Sequence, residues 1–462
     1  MKKKFIVVLG GGESGVGAAL LAKKNGLKIF ISDSGIIMNK YKKILKKNEI
    51  IFEEKGHTEN FIIEKATEII KSPGICKKNI LIKKINSFGI PILSELEFGK
   101  SYLKKNYLIS ITGSNGKTTT TSIVYKILKK EGINVGIAGN IGRSFSKEVL
   151  KKKDIYVLEV SSFQLDDCYN FRSNIAVLLN ITRDHLNRYD NIENYIYSKF
   201  KIALFQKKKD IFIYNHDDPI IRNGLKKFYI KSNCIPFSIK EKLPIGAYLK
   251  DKKIWMIKKK NTKNKEKLLM DINNISLIGD HNLYNIMASL IISEILNVKK
   301  ESIISILSKL KAIEHRMEKV LNVNGVYFIN DSKATNVNAV FYALQSINKP
   351  IIWIAGGEDK GNNYQELIPL VKEKVKAIIC LGINNEKIIF FFKNIINIIL
   401  ETISMKNAIK MAYELSLPGC NVLLSPACSS FDLFKNYKEK GNKFKKEVKK
   451  FFIKKNEKNR DF

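Results

Sequence analysis

Short apolar runs recur along the chain, each closed by a polar or glycine-rich turn and followed by a stretch with helical spacing. Residues 5–9 run into a glycine turn over 10–17. A helical pattern follows over 18–24, and a second run at 28–31 stops at Asp33. This predicts a βαβ opening, because strands buried on both faces read as continuous aliphatic runs and the intervening helix carries the crossover. The alternation continues to a polar seam at Lys104, Lys105 and Asn106, and resumes with runs at 107–111, 155–160 and 176–179. A Lys-rich stretch between 245 and 275 reads as a two-stranded excursion, and a helix follows Asn282. Further runs at 327–329, 351–354, 378–381 and 422–424 repeat the theme. The pattern predicts an α/β chain of three domains, 1–105, 106–300 and 301–462, with a basic tail after Lys443 as a solvated helix end.

Composition changes this picture little. With 462 residues and 45% hydrophobic content the chain is long enough for several cores, at ~100–200 residues per domain. A net charge of +37 raises nucleic-acid binding, but the lysines are spread over nearly every helix and loop rather than gathered on one face with interleaved aromatics. The expectation is no nucleic-acid partner, with the field serving instead to attract small anions. The six cysteines include no CxxC pair, so neither a disulfide framework nor a zinc site is expected, and a reducing cytoplasm fits. The apolar run after Lys4 ends after five residues, short of the ~7–15 of a signal peptide. No run approaches the ~18 residues of a membrane span, so no membrane insertion is expected.

The chemistry lies at the carboxyl ends of the predicted strands. Thr112, Gly113, Ser114, Asn115, Gly116, Lys117, Thr118 and Thr119 follow the run at 107–111. Glycines that turn backbone N–H groups inward, a lysine and a hydroxyl at a helix N-terminus form a cradle for nucleotide phosphates and Mg²⁺. Gly10, Gly12 and Gly15 have GxGxxG spacing, with Asp33 18 residues after Gly15. That turn suits any nucleotide diphosphate, whether a nicotinamide dinucleotide or a UDP-linked ligand, and tight packing alone also fits. Glu159 ends a strand and is placed like a metal-holding acid, and His185 exits the same edge and marks a second Mg²⁺ site. Asn282 and Asn285 share a helix face and present amides suited to an adenine edge, with simple helix capping as the alternative. The polar strand-end runs 330–336, 356–360 and 425–432 offer lysine, threonine and serine to an anionic amino acid.

Eight segments, TGSNGKTT, LEVSSFQLD, LNITRDHLNRY, GDHN, HRME, NDSKATN, GGEDKG and LSPACSSFD, occur in this order along essentially the whole chain. In this the sequence resembles the ATP-dependent Mur ligases, and NDSKATN with LSPACSSFD resembles their D-glutamate-adding branch. The resemblance implies a Rossmann-like N-terminal domain, a central P-loop ATPase-like domain with a mostly parallel sheet, and a C-terminal Rossmann-like domain. It implies a monomer that joins UDP-N-acetylmuramoyl-L-alanine to D-glutamate through an acyl phosphate. By the same resemblance Gly113, Asn115, Gly116, Lys117, Thr118, Thr119, Asn282, Asn285, Arg316 and Asp331 hold ATP. Ser14, Asp33, Ser34 and Ser72 meet the UDP moiety, and Asn140 and Gln164 orient the muramoyl-alanine. Thr335, Lys360, Ser430 and Phe431 meet D-glutamate. Thr118 and Glu159 hold one Mg²⁺, and His185 with a carbamylated Lys199 holds a second. Gly35 departs from the pattern, standing where some relatives carry an arginine beside the uracil. Two rival classes compete: a nicotinamide-dependent oxidoreductase, favoured by the first glycine turn and opposed by the second phosphate loop, and a nucleic-acid-stimulated ATPase, favoured by charge alone.

Overall fold

A computed structural model describes residues 5–182, 184, 188–189, 191–260, 263–276, 279–310 and 314–458. His185 lies outside these residues.

The described chain is α/β throughout and builds three sheets. The first is all parallel, in the order β3-β2-β1-β4-β5, with β1 Phe5–Leu9, β2 Lys28–Ser32, β3 Ile51–Glu53, β4 Glu68–Lys71 and β5 Ile92–Ser94. The helix after β1 spans Glu13–Lys24 and starts earlier than the expected 18, inside the glycine turn, so Ser14 falls in its first turn.

The second sheet has the order β14-β13-β12-β11-β10-β9-β6-β8-β7. Its parallel part comprises β6 Tyr107–Thr112, β7 Val135–Gly139, β8 Ile155–Glu159, β9 Ile175–Leu178, β10 Ile211–Asn215 and β11 Asn233–Ser238. Ile109, Ile111, Val157, Ile175 and Val177 are buried there, packed with Ile123, Val124 and Ile127 of the helix Lys117–Lys130 and with Leu290 and Ile291 of the helix Asp280–Ile295. Burial on both faces explains why these strands read as unbroken aliphatic runs. The Lys-rich excursion is three strands rather than two: β12 Gly246–Lys250 pairs parallel with β11, and β13 Lys253–Lys260 and β14 Lys263–Asp271 follow it antiparallel. The seam expected at 300 also lies further on, since Ile303 and Leu307 of the helix Lys300–Leu307 belong to the central core.

The third sheet has the order β15-β16-β20-β17-β18-β19, with β15 Glu318–Val323 antiparallel at the edge and β16 Val326–Asn330, β17 Ile351–Ala355, β18 Val375–Leu381, β19 Ile399–Thr402 and β20 Asn421–Leu424 parallel. The tail is not a solvated end. The helix Tyr437–Lys458 buries Phe444, Val448 and Phe452 against Phe328, Val422 and Leu424, because one aliphatic and aromatic face at four-residue spacing outweighs the lysines around it.

By compactness the chain divides into Met1–Ile181 with Asn191–Leu310, and Thr182–Asp190 with Lys311–Phe462. No helix among the described residues is long and apolar enough to cross a membrane.

Candidate active site

In the first unit the phosphate loop is built by two glycines and closed by an asparagine from a distant helix. β6 ends at Thr112, and the helix Lys117–Lys130 begins immediately after Gly116, which is left-handed at φ 84°. A side chain at Gly116 would also collide with Asn285 Oδ1, so only glycine admits both the turn and the close approach. Asn285 Oδ1 accepts from Thr120 Oγ1 at 3.2 Å and thereby ties the helix Asp280–Ile295 to the loop. Asn180 Oδ1 accepts from Asn115 N at 2.8 Å, and Asn180 O accepts from Ser114 N at 3.0 Å. Lys117 Nζ folds over the turn and donates to Gly113 O at 2.7 Å and Ser114 O at 2.8 Å. Thr118 opens the helix beside Lys117, and Thr119 is buried behind it. The helix N-terminus adds its own partial positive charge, so the loop is an anion site by backbone geometry and dipole alone.

Glu159 sits beside this loop by sheet register, opposite Ile111 on one side and Gly139 on the other. It is 2% exposed. Its Oε1 accepts from Asn140 Nδ2 at 2.9 Å, and its backbone carbonyl accepts from Asn140 N at 2.8 Å. Oε2 is buried with no hydrogen-bond partner. A buried carboxylate oxygen left without a donor fits a cation ligand, and with the Thr118 hydroxyl and phosphate oxygens it suits the oxygen-rich shell of Mg²⁺. Among the described residues no three His, Cys, Asp or Glu side chains form a metal cluster. Gln164 closes a capping box, its Oε1 accepting from Ser161 N at 3.1 Å.

Lys199 is 2% exposed on the helix Ile192–Leu204, with Nζ 4.7 Å from the ring centre of Tyr195. The Tyr195 hydroxyl in turn lies 2.9 Å from Ser114 Oγ. The geometry therefore brings Lys199 to the phosphate loop through Tyr195, a residue the sequence pattern did not single out.

At the first sheet, Asp33 is a structural clamp on the glycine turn: Oδ2 accepts from Gly11 N at 2.6 Å and Oδ1 from Gly35 N at 2.8 Å. Ser72 lines the same turn, since a side chain at Gly10 would strike its Oγ. Ser14 opens the helix there, and Ser34 is exposed at the rim.

In the second unit Asp331 follows β16, its Oδ2 accepting from Ser425 Oγ at 2.9 Å and its Oδ1 from Met317 N at 3.2 Å. Burial pushes its carboxyl up to about 6, against the opposing pull of Arg316. Lys360 Nζ pairs with Asp184 Oδ1, and Asn336 Nδ2 donates to the other oxygen of that carboxylate. Thr335 lies one residue before Asn336 and is half-buried. Ser430 is buried and its hydroxyl has no partner. Phe431 is 68% exposed, at a cavity of about 700 Å³ lined also by Tyr364, Ile388, Cys428, Glu358 and Asp432. Burial pushes the Cys428 thiol up to about 11, so it acts there as a packing group. Asp184, Tyr364 and Tyr437, the last with Lys333 Nζ 3.4 Å from its hydroxyl, are the site neighbours that sequence reasoning missed.

Comparison with known proteins decides what this arrangement is. A model of the Mur ligase middle domain matches residues 111–293, one of the Mur ligase glutamate ligase domain 315–428, and one of the MurD N-terminal domain 5–79. The UDP-N-acetylmuramoylalanine–D-glutamate ligase of Christiangramia forsetii is 51% identical over 96% of this chain and 99% of its own. That of Bacteroides fragilis is 49% identical over 96% and 99%. The chain belongs to the Mur ligase family. The fold agrees: a pseudomurein peptide ligase type C of Methanothermus fervidus superposes with a TM-score of 0.61 over 97% of this chain and all of its own, at 20% identity. The alanine ligase MurC of Thermotoga maritima gives 0.59 over 97% and 99%, at 18% identity. The three α/β domains expected of a Mur ligase are thus present, and the phosphate loop with Glu159 occupies the family's middle domain.

Proposed function

We infer that this Mur ligase joins D-glutamate to UDP-N-acetylmuramoyl-L-alanine with ATP, in the synthesis of peptidoglycan precursors. The observation that carries the reading is the full-length likeness to the curated D-glutamate ligases, at 51% and 49% identity. The reaction takes two displacements. The L-alanyl carboxylate attacks the γ-phosphorus of ATP and expels ADP, leaving an acyl phosphate. The amine of D-glutamate then attacks the acyl carbon, the new amide forms, and phosphate leaves with the bonding pair of the broken C–O bond.

Little covalent chemistry falls to the protein, so charge neutralisation and alignment carry the rate. Gly113 to Thr119 cradle the phosphates, and Lys117, now resting on Gly113 and Ser114 carbonyls, turns to the γ-phosphate when ATP arrives. Mg²⁺ would be held by Thr118 and Glu159 Oε2, where it screens the phosphate charge that repels the attacking carboxylate. Conversion of the buried Lys199 amine to a carbamate would supply an anionic oxygen for a second Mg²⁺ with His185. Asn282, Asn285, Arg316 and Asp331 serve ATP, Asn285 through its support of Gly116. Ser14, Asp33, Ser34 and Ser72 serve the UDP group, while Asn140 and Gln164 aim the alanyl carboxylate. Thr335, Lys360, Ser430 and Phe431 receive D-glutamate. The protein works as a cytoplasmic monomer, where its nucleotide substrates are made.

ATP turnover measured with UDP-N-acetylmuramoyl-L-alanine and, in turn, D-glutamate, L-glutamate and meso-diaminopimelate tests this. Turnover should need D-glutamate. Equal turnover with meso-diaminopimelate, or none with any of the three, would overturn the reading.

A further inference from the structure

Two helices in the first unit meet more closely than packing requires. The helix Glu13–Lys24 starts at the glycine turn of the first sheet, and the short helix Phe145–Val149 ends the loop that carries Asn140. A side chain at Gly17 would strike Ser144 Oγ, so the two backbones touch through that serine. Ser144 is held from both sides. Its Oγ donates to Glu95 Oε1 at 2.6 Å, and its N–H donates to Glu13 Oε1 at 3.3 Å. Glu95 Oε1 also accepts from Ser146 N at 2.6 Å, and the Glu95 carbonyl accepts from Ser146 Oγ at 3.3 Å.

Glu95, 3% exposed, follows β5 and opens the helix Glu95–Ser101, and its Oε2 is buried without a partner. Burial raises this carboxyl, against the hydrogen bonds from Ser144 and Ser146. A second clamp repeats the design. Lys71, next to Ser72, pairs with Asp167 at 2.8 Å, both buried, and Asp167 lies three residues after Gln164. In the first clamp Ser144 ties Glu95 to Glu13 at the start of the turn's helix, and in the second Lys71 stands beside Ser72, so each clamp joins the first sheet to a segment that carries a muramoyl-alanine residue. Hydrophobic packing would hold two domains together without such directional bonds. Directional bonds fix a distance.

We propose that Glu95, through Ser144, is a positioning residue that sets the separation between the diphosphate turn at Gly10–Gly12 and the Asn140–Glu159 pair, so that the enzyme selects its substrate by length. The proposal rests on the functional reading above. A ligand that occupies one end only is indifferent to this distance, whereas UDP-N-acetylmuramoyl-L-alanine, anchored at its diphosphate and reacting at its alanyl carboxylate, depends on it. Atoms misplaced along such a tether lose near-attack geometry even when each end still binds.

The test compares the wild type with Glu95→Ala, Ser144→Ala and Glu95→Gln in three titrations: UDP alone, ADP alone, and steady-state turnover of the full substrate. In Glu95→Ala, Kd for UDP and for ADP should stay within about twofold of the wild type while kcat/KM for the full substrate falls by about tenfold or more, since a misplacement of ~1 Å is worth ~10²-fold. Ser144→Ala, which removes the bond to Glu95 and the cap accepted from Lys147 N but leaves the Glu95 bonds to Ser146, should show the same selective pattern more weakly, and Glu95→Gln, which keeps the acceptor, should retain most of the rate. Loss of UDP affinity in step with turnover would reduce Glu95 to local support of the turn and overturn the proposal. So would unchanged turnover in both truncations. Should Glu95→Ala fail to fold by circular dichroism, Ser144→Ala decides alone. A wild type that binds UDP and ADP but does not turn over the full substrate would refute the functional reading instead.

Discussion

Lys360 Nζ lies 3.4 Å from Asp184 Oδ1, and Asn336 Nδ2 donates to Asp184 Oδ2 at 3.2 Å. The lysine proposed to receive the incoming amino acid is therefore already paired, with only 11% of its side chain exposed. On that proposal D-glutamate shares the cation or takes it from Asp184. Lys360→Ala should raise KM for D-glutamate far more than KM for ATP or the UDP-sugar, and Asp184→Asn, which releases the lysine, should move KM for D-glutamate in the opposite direction. Steady-state kinetics with each substrate varied in turn checks both, and equal losses for all three in Lys360→Ala would assign the lysine to folding.

Lys117→Ala removes the ammonium of the phosphate loop while leaving Gly113, Gly116 and the Asn285 support in place. The loss should be ~3–4 kcal/mol, or roughly 10²–10³ in kcat, with an unchanged melting temperature. Turnover near that of the wild type would make the lysine a loop brace only.

Lys199→Ala should be nearly inactive, with partial recovery on addition of acetate or formate. If Lys199 carries the proposed carbamate, a small carboxylate would take the place of its missing oxygen in the buried space beside Tyr195. Recovery with added amines but not with carboxylates would assign an ammonium to the site.

Asp331 supplies a pH signature. Its carboxyl keeps its proton to about 6 in the native state, against ~3.9 when unfolded. Between these values the native protein binds the extra proton, so this contribution to stability is complete below ~3.9 and is lost as pH rises through the native value. Asp331→Asn does not titrate. Wild-type minus variant unfolding free energy should fall by on the order of 2–3 kcal/mol between about pH 4 and about pH 7. A difference that rises over this window would mean that the carboxylate is stabilised as an anion.

The fold and the phosphate loop were legible because both are local. An aliphatic run emptying into Gly113, Gly116 and Lys117 carries its own physics in a dozen residues, and the strand-end position of Glu159 follows from the same periodicity. What escaped was either long-range or masked by lysine. Tyr195 lies 81 positions from Ser114, and a helical tyrosine has no pattern of its own. β14 is an edge strand whose lysines hide its alternation from β13, and those charges are what an edge needs to resist pairing with another chain. Phe444, Val448 and Phe452 form a readable four-residue spacing, obscured by the lysines between them. The Asp184 contact with Lys360 could have been sought, since Asp184 stands beside His185 in the same polar run, but no periodicity connects it to a loop 176 residues away.

β20 lies between β16 and β17, hydrogen-bonded to both, yet it follows β19 in the chain. The slot at the centre of the third sheet therefore stays open throughout the synthesis of β17, β18 and β19. It closes only when the segment around Leu424 leaves the ribosome. During that interval Phe328, Ile352 and Ile354, which pack with Val422 and Leu424 in the finished sheet, lack those partners, and two strand edges face an empty lane. For a nascent chain of this kind the danger is strand pairing with a neighbour on the same polysome. Slow translation between β17 and β20 would lengthen the exposure.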